Sequence, residues 1–334
     1  MSASAIKLPP NPVRQFYRGG PAIAALRGID VGGDHSPEEW IGSASTLFGE
    51  TERGLSRLPD GTLVRDALAA DPEAWLGAAH VARFGANPAL LVKLLDAGER
   101  LPVHHHPDEP FAREHLGLAF GKTEAWLVVT ARPGAQVHVG FREDVAEDTL
   151  RTWVRDQDHD ALLGALNPID VGAGDAIFVP AGVAHAIGEG VLIAELQEPT
   201  DLSILLEWEG FDIEGEAQAT LGLGWDRALE SVDRAARDAS VLRGPRVGGN
   251  GIAVSELLPP AAAPFFGAQR VAPGGGSARL PAGFAIFIVI EGSGRLAGLD
   301  VTRGDALLVP YAAGEVSADG DLVAIACRPP EVPS

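Results

Sequence analysis

The chain contains a single cysteine, Cys327, so an intrachain disulfide is excluded. The apolar residues 322–326 that precede it predict a buried strand position for this thiol rather than a nucleophile. Long apolar runs are also missing. No stretch of about 18 apolar residues could span a bilayer, and the N-terminus has no continuous apolar segment typical of a secretion signal. We therefore expect a cytoplasmic protein.

Positive charge is scarce as well. The chain has 26 Lys and Arg residues against 46 Asp and Glu residues, which gives a formal net charge of −20. This balance argues against a nucleic-acid or anionic-membrane partner, because both bind clustered Lys and Arg. An anionic small molecule would need a local basic pocket. The 334 residues, of which 46% are hydrophobic, are enough for two compact domains.

Histidines occur in two separated motifs. Gly-Glu-Arg-Leu-Pro-Val-His-His-His runs from Gly98 to His106, and Gly-Asp-Ala-Ile-Phe-Val-Pro-Ala-Gly-Val-Ala-His runs from Gly174 to His185. Residues two apart on a strand face the same side, so His104 and His106 can reach one point. His185 follows a Pro-x-Gly turn at the end of an apolar run, which suits a strand that enters from elsewhere. The pattern predicts three convergent imidazoles.

The spacings Gly-x5-His-x-His and Gly-x5-Pro-x-Gly-x2-His resemble the two signature motifs of the cupin superfamily, which implies a metal-binding jelly-roll β-barrel. Cupins place a glutamate near the first histidine pair, and two residues are candidates. Glu109 lies between prolines and is expected to be a solvated loop charge. Glu124 precedes an apolar run that predicts a buried strand, and a carboxylate there can point into a barrel. We prefer Glu124.

The sequence around these motifs resembles the type I (class I) mannose-6-phosphate isomerases over nearly its whole length. The matching segments are Asn11-Pro-Val with Gly19-Gly, Glu39-Trp-Ile-Gly-Ser43, Leu101-Pro-Val-His-His-His-Pro-Asp108, Gly121-Lys-Thr-Glu124 and Val179-Pro-Ala-Gly-Val-Ala-His-Ala-Ile-Gly-Glu-Gly190. The resemblance implies one Zn2+ ion per chain, with the ligands His104, His106, Glu124 and His185.

Two positions depart from the family pattern. The family usually has glutamine where His104 stands, and three imidazoles with one carboxylate also suit iron, nickel or copper, so other divalent metals stay open while zinc is preferred. The family's Ser-Asp-x-x-x-Arg stretch keeps its aspartate here as Asp201, but Leu205 stands in place of an arginine thought to stabilise charge on the reacting sugar. A relocated cation could replace that arginine, and the candidates are Arg14, Arg18, Arg113 and Lys122.

Lys122 and Asp201 are the candidate catalytic residues. Lysine occurs only at positions 7, 93 and 122. Lys122 lies two residues before Glu124, where an ammonium could contact phosphate or donate a proton. The alternative is a surface loop lysine. Asp201 could likewise transfer a proton, or it could simply cap a turn.

The predicted fold class is mostly β, with two cupin domains. Residues 1–242 would form the metal-binding domain, with a helical insertion at about 143–166 and a connector helix at about 222–240. Residues 243–334 would form a degenerate second domain that begins at the glycine-rich loop 243–251. An internal repeat supports this division, because Gly-Asp-Ala-Ile-Phe-Val-Pro at 174–180 recurs as Gly-Asp-Ala-Leu-Leu-Val-Pro at 304–310. Glu315 takes the place of His185 in the repeat, which predicts a structural domain without metal.

The predicted function is aldose–ketose isomerisation, from mannose 6-phosphate to fructose 6-phosphate by resemblance, with a metal or a fixed cation stabilising the enediolate. The expected partner is a sugar or sugar phosphate, and the expected state is a monomer or homodimer. Because of Leu205, another or an unphosphorylated sugar stays open as the substrate. Two other classes also stay open: a non-catalytic sugar-binding cupin, and a metal-dependent dioxygenase, which cannot use zinc because zinc does not cycle its oxidation state.

Overall fold

The computed structural model describes residues 4–245 and 252–332. In the first of these ranges the strands are β1 (Ile6–Lys7), β2 (Pro12–Val13), β3 (Glu38–Ile41), β4 (Leu91–Asp96), β5 (His104–His105), β6 (Glu124–Ala131), β7 (Gln136–Phe141), β8 (Leu166–Asp170), β9 (Ala176–Val179), β10 (His185–Ile187), β11 (Val191–Gln197) and β12 (Ile204–Leu205). In the second range they are β13 (Val254–Glu256), β14 (Gly267–Val271), β15 (Ser277–Leu280), β16 (Ala285–Glu291), β17 (Ser293–Leu296), β18 (Leu299–Thr302), β19 (Ala306–Val309), β20 (Val316–Gly320) and β21 (Val323–Arg328).

The helices are short and lie between strands. The α-helices are α1 (Pro21–Arg27), α2 (Val64–Ala70), α3 (Pro72–Leu76), α4 (Ala78–Phe84), α5 (Glu109–Phe111), α6 (Glu147–Asp156), α7 (His159–Gly164), α8 (Glu216–Ala219) and α9 (Trp225–Ala228). A π-helical turn at Ala112–Leu116 continues α5, and 3-10 turns occur at Leu229–Ser231, Ala239–Leu242, Pro260–Ala262 and Tyr311–Ala313. More residues therefore lie in β-strands than in helices, which confirms the predicted mostly β fold class.

Within the described residues the strands form four sheets, and neighbouring strands pair antiparallel. The first half of the chain contains β2-β3-β4-β11-β6-β9 and β12-β5-β10-β7-β8, and the second half contains β13-β14-β21-β16-β19-β1 and β15-β20-β17-β18. Each half is thus a pair of sheets. In the described ranges hydrogen bonds do not close either pair into one ring, so the predicted barrels are sandwiches.

The two halves repeat one another strand by strand. The order β4-β11-β6-β9 corresponds to β14-β21-β16-β19, and β5-β10-β7-β8 corresponds to β15-β20-β17-β18. The repeated Gly-Asp-Ala segments supply β9 and β19, which occupy equivalent positions beside β6 and β16. The internal repeat predicted from seven residues therefore covers eight strands.

Apolar side chains fill three layers between the four sheets. One layer lies inside the first half and includes Leu95 and Trp126, and another lies inside the second half and includes Phe287. The third layer joins the two six-stranded sheets through residues such as Leu94 and Ile286. Because successive side chains on a strand face opposite sides, β4 contributes to two layers at once. Both faces of each six-stranded sheet are buried, which explains their nearly continuous apolar sequences.

The predicted connector helix at 222–240 is wrong. Only the short helix α9 and the 3-10 turns Leu229–Ser231 and Ala239–Leu242 form there, and the residues between these two turns run along the first half of the chain. The amide of Asp233 donates to the Gly182 carbonyl at 2.8 Å, and the amide of Arg237 donates to the Phe141 carbonyl at 2.9 Å. These tertiary hydrogen bonds replace the bonds to residue i−4 that a helix would need. In the insertion at 143–166, Gln157 adopts a φ of 48° and separates α6 from α7.

The N-terminal strand β1 crosses between the halves. Ile6 pairs with Leu308 in the sheet of the second half, although the predicted division assigned residues 1–242 to the first domain. Residues 246–251 of the predicted boundary loop lie outside the described residues. In the part of the chain that the structure describes, no helix has the length and apolar character needed to cross a membrane. Cys327 is buried on β21, as predicted.

Candidate metal centre

Strand pairing brings the three predicted histidines together. His185, the first residue of β10, lies directly opposite His104 on β5, and His106 follows β5 two residues after His104. The ring centroids are 4.1 Å apart for His104 and His185, 5.0 Å for His104 and His106, and 4.8 Å for His106 and His185. His105 does not join the cluster. Its Nε2 atom lies 2.9 Å from Ser231 Oγ instead.

A glycine turn makes this arrangement possible. Gly182 has a φ of 83°, which favours glycine, and its amide donates to the His106 carbonyl at 2.7 Å. The turn thereby ties the end of β9 to the first histidine motif, and His185 enters three residues later. The Pro-x-Gly signal in the sequence therefore has a direct structural role.

Backbone carbonyls orient all three rings. The Nδ1 atoms of His104, His106 and His185 lie 2.8, 2.5 and 2.8 Å from the carbonyl oxygens of Pro102, Leu202 and Val183. A carbonyl oxygen only accepts hydrogen bonds, so each Nδ1 carries the proton and each Nε2 presents a lone pair. One ligand atom from each ring lies within 4.8 Å of those of the other two. Bonds of this kind to the distal ring nitrogen are the usual support of metal-bound histidines.

The rings are neutral. Burial lowers the pKa of His106 and of His185 to about 3, and it lowers the pKa of His104 well below the ordinary value of 6.5. Neutral imidazole is the form that binds a metal. At neutral pH the site therefore offers three nitrogen lone pairs.

Glu124 completes the cluster from the facing sheet. It begins β6, and its Oε2 and Oε1 atoms lie 3.0 Å from His106 Nε2 and 3.3 Å from His185 Nε2. Burial alone would raise its pKa, but the positive charge of Lys122 and the contacts with the two histidines outweigh burial and hold the pKa well below the usual range. Trp126 also donates from Nε1 to the carboxylate at 2.9 Å. Glu124 is therefore ionised.

The cluster fits a divalent metal. His185 Nε2 is buried and has no hydrogen-bond partner among the described residues, and the Glu124 carboxylate that faces it has Lys122 on one side only. Lone pairs of neutral nitrogens and a carboxylate facing one another need a cation to be satisfied, and three nitrogens with one oxygen suit zinc and related ions. The alternative ligand Glu109 lies away from this cluster, because its side chain is half-exposed and paired with Arg113.

A cavity of about 450 Å³ opens beside the cluster. Of the candidate cations, Lys122 lines this cavity, and its Nζ atom lies 3.0 Å from His106 Nε2 and 3.1 Å from Glu124 Oε2. Asp201 also lines the cavity, but it contacts Lys93 at 3.5 Å rather than the histidines. Leu205 is a buried part of the wall, opposite His104 in the strand pairing.

No protein-family model matches the chain. The mannose-6-phosphate isomerase of Streptococcus mutans serotype c is 30% identical over 319 residues, which are 92% of this chain and 93% of that protein. The chain belongs to the mannose-6-phosphate isomerase family.

Solved structures of mannose-6-phosphate isomerases share the fold. The crystal structure from Bacillus subtilis superposes with a TM-score of 0.80 at 23% identity and covers 97% of this chain and 99% of its own. A mannose 6-phosphate isomerase bound with zinc and yttrium superposes with a TM-score of 0.76 at 17% identity and covers 98% and 100%. The predicted family resemblance is confirmed.

Three charged residues of the cavity were not predicted from the sequence of this family member, namely Glu38, Lys93 and Glu195. Lys93 lies on β4 directly opposite Glu195 on β11, and its Nζ atom lies 3.5 Å from Glu38 on β3. Lys122 lies 3.8 Å from Glu195 and so connects this group to the metal cluster. The available signal was a single charge inside an apolar run, as in Leu-Val-Lys-Leu-Leu and Leu-Ile-Ala-Glu-Leu. Such a charge in a strand buried on both faces indicates a site.

Glu38 provides a test of this buried network. Tyr17 Oη and Trp40 Nε1 donate to its carboxylate at 2.5 and 2.6 Å. Burial by itself would raise the pKa of Glu38. Lys93 and these hydrogen bonds lower the pKa by more than burial raises it, so the net shift is downward from 4.5. The ionised carboxylate therefore stabilises the fold above about pH 4.5, and this contribution is lost as the pH falls through the folded-state pKa.

We expect Glu38→Gln to lower the free energy of unfolding at pH 7 by about 3 kcal/mol, because it breaks a buried ion pair. The deficit should shrink below pH 4.5, where the unmodified protein also loses the charge. Urea denaturation of both proteins at pH 7 and below pH 4.5 measures the difference in the free energy of unfolding. The exposed residue Glu52 gives the matched control, Glu52→Gln, which should have no effect. Equal stability of Glu38→Gln and the unmodified protein at pH 7 would contradict the prediction.

Proposed function

We propose that this protein is a metal-dependent aldose–ketose isomerase that interconverts mannose 6-phosphate and fructose 6-phosphate. One Zn2+ per chain would be held by His104, His106, His185 and Glu124. The observation that carries the proposal is the convergence of three neutral Nε2 atoms on an ionised carboxylate at the wall of a cavity. The name of the Streptococcus mutans relative supports the substrate, and the zinc-bound structure supports the metal.

The reaction moves hydrogen between two neighbouring carbons of the sugar. A proton leaves the second carbon, a proton is delivered to the first carbon, and the hydroxyl proton changes oxygen. When bound, the metal supplies a Lewis acid that polarises the hydroxyl and carbonyl oxygens of the substrate. The protein must then supply groups that hold and move protons within the cavity.

Glu195 is our preferred proton-transfer group. Burial and the nearby charge of Glu124 outweigh the opposing effect of Lys122 and Lys93 and together raise its pKa to about 8. A carboxyl group with such a pKa holds a proton near neutral pH and can also release it, which general acid–base catalysis requires. Asp201 remains in the proposal as a second proton-transfer group, because it lines the same cavity.

Lys122 would stabilise negative charge on substrate oxygen. Its ammonium group is buried between Glu124 and Glu195, at 3.1 and 3.8 Å, and it faces the cavity. A fixed cation in a site with little water stabilises a developing oxyanion more strongly than one in bulk solvent. This role would compensate for the leucine at position 205. The proposal also includes a cytoplasmic location and a monomeric or homodimeric state. Light scattering of the purified protein would measure the oligomeric state.

Metal removal tests the proposal. The purified protein should contain about one zinc per chain and should produce fructose 6-phosphate from mannose 6-phosphate in a coupled assay. Dialysis against a chelator should abolish turnover, and added Zn2+ should restore it. A metal-loaded protein that turns over no aldose would contradict the proposal, and a content of iron, copper or nickel with oxygen uptake would favour the dioxygenase instead.

A further inference from the structure

The peptide group between Pro102 and Val103 has a hydrogen bond at each end. Its carbonyl oxygen accepts from Nδ1 of His104 at 2.8 Å. Its N–H group, which belongs to Val103, donates to Oε2 of Glu207 at 2.9 Å. The peptide bond is planar and trans, so the carbonyl and the N–H point in opposite directions. One rigid group therefore connects a side-chain carboxylate to the ring of a proposed metal ligand.

Glu207 is fixed in this position by its other contacts. Its side chain is 1% exposed, and Arg100 donates to both carboxylate oxygens, from Nη1 to Oε2 at 2.7 Å and from Nη2 to Oε1. The amide of Glu207 also donates to the Val103 carbonyl at 3.0 Å. Because the arginine fork bonds to both oxygens, it sets the orientation of the carboxylate as well as its place. The carboxylate therefore stays against the Val103 amide.

Hydrogen bonds in such a chain polarise one another. A carboxylate that accepts from a peptide N–H increases the partial negative charge on the carbonyl oxygen of the same peptide. That oxygen then accepts more strongly from the Nδ1–H group of His104, which raises the electron density on the ring. Metal-bound histidines commonly donate their second N–H to a carboxylate, which orients the ring and makes it a stronger ligand. Here a peptide group stands between the carboxylate and the histidine.

Of the three rings in the cluster, only that of His104 has this support within the described residues. Other backbone carbonyls orient His106 and His185. The amides of those two peptide groups belong to Ser203 and Ala184, and in the described part of the chain neither amide donates to a carboxylate. The charge therefore acts on one nitrogen ligand out of three, and its effect can be separated from a general change of the cluster.

We propose that Glu207 is a positioning residue that strengthens metal binding by His104 through the Pro102–Val103 peptide group. The proposal rests on the metal centre proposed above. Glu207 is not among the described residues that line the cavity, so it does not touch the substrate. Its influence passes from the carboxylate to the Val103 amide, and from the Pro102 carbonyl to the imidazole.

Glu207→Gln removes the charge and keeps the shape of the side chain. The dissociation constant for Zn2+, measured by competition with a chelating dye, should rise by about 10- to 100-fold, as is usual when the partner of a metal-bound histidine is lost. The exposed ion pair of Arg132 and Glu189 supplies the matched control. Glu189→Gln should bind Zn2+ like the unmodified protein.

Arg100→Gln separates this role from a purely structural one. It breaks the ion pair but leaves the Glu207 carboxylate on the Val103 amide. The thermal midpoint should fall in both Arg100→Gln and Glu207→Gln, because both disturb a pair that contains a buried carboxylate. The zinc affinity of Arg100→Gln should nevertheless stay within about threefold of the unmodified protein. Equal losses of affinity in the two variants would overturn the proposal, since the ion pair would then merely hold the loop.

Nuclear magnetic resonance of the zinc-loaded protein with isotope-labelled histidine gives a readout for each ring. A weaker hydrogen bond moves the signal of an Nδ1–H proton upfield. In Glu207→Gln the signal of His104 should move upfield, and the signals of His106 and His185 should keep their positions. An unchanged His104 signal, or equal shifts of all three signals, would overturn the proposal.

The double variant Arg100→Gln/Glu207→Gln keeps the test decisive if Glu207→Gln does not fold. It leaves neither charge of the pair without its partner, and replacing both members of a buried ion pair costs much less than removing one. It should show the same loss of zinc affinity and the same shift of the His104 signal. Full affinity in the folded double variant would overturn the proposal and leave the metal centre intact. No zinc binding by the unmodified protein would instead overturn the metal centre, and the proposal with it.

Discussion

His106→Ala is expected to remove the metal and reduce turnover to that of the metal-free protein. The imidazole Nε2 atom of His106 lies 3.0 Å from Glu124 and faces the other two histidines, so alanine leaves two nitrogens and one carboxylate. Loss of even an outer hydrogen-bonding partner typically lowers metal affinity by about 10- to 100-fold, and loss of a ligand should exceed this. Equilibrium metal titration and the coupled assay measure the two effects.

The neighbouring histidine provides a matched control. His105 is equally buried, but its ring faces Ser231 on the opposite side of the strand. The variant His105→Gln changes a buried histidine next to His106 in the chain, and it should keep both its metal and its turnover. Full metal occupancy in His106→Ala, or metal loss in His105→Gln alone, would show that the cluster is not the metal site.

Lys122→Met is expected to lower kcat by about 10²- to 10⁴-fold while the metal stays bound, because it removes a charge that acts on the substrate and not a ligand. Methionine fills a similar volume without the ammonium group. Metal content should stay close to that of the unmodified protein, whereas the thermal midpoint should fall, because Glu124 and Glu195 lose their buried cation. A purely structural role for this lysine would lower the midpoint in the same way but leave kcat of the folded, metal-loaded protein nearly constant.

The scarcity of lysine makes the control for Lys122 simple. Lys7 lies on the strand β1, far along the chain, and forms an exposed ion pair with Asp305 at 2.9 Å. Lys7→Met should leave kcat unchanged. If Lys122→Met and Lys7→Met have equal kcat values, Lys122 has no part in the reaction and Glu195 or Asp201 must be tested next.

The sequence by itself determined the features that depend on local geometry. Strand alternation placed His104 and His106 on one side and His105 on the other, and a Pro-x-Gly turn placed His185 at the start of a strand. The repeated Gly-Asp-Ala segment revealed the duplicated fold. Each of these follows from neighbouring residues along one strand or turn, which a sequence displays directly.

Only the tertiary structure decided which distant charges meet. Glu195 faces Lys93 because β11 and β4 pair in one particular register, and Lys122 reaches the metal cluster because β6 and β5 belong to facing sheets. The prediction of a connector helix at 222–240 was wrong for the same reason. Backbone hydrogen bonds to Gly182 and Phe141 hold this segment in a non-helical conformation although its apolar residues have helical spacing. Register and sheet packing depend on contacts between residues far apart in the chain, and those contacts leave no local pattern in the sequence.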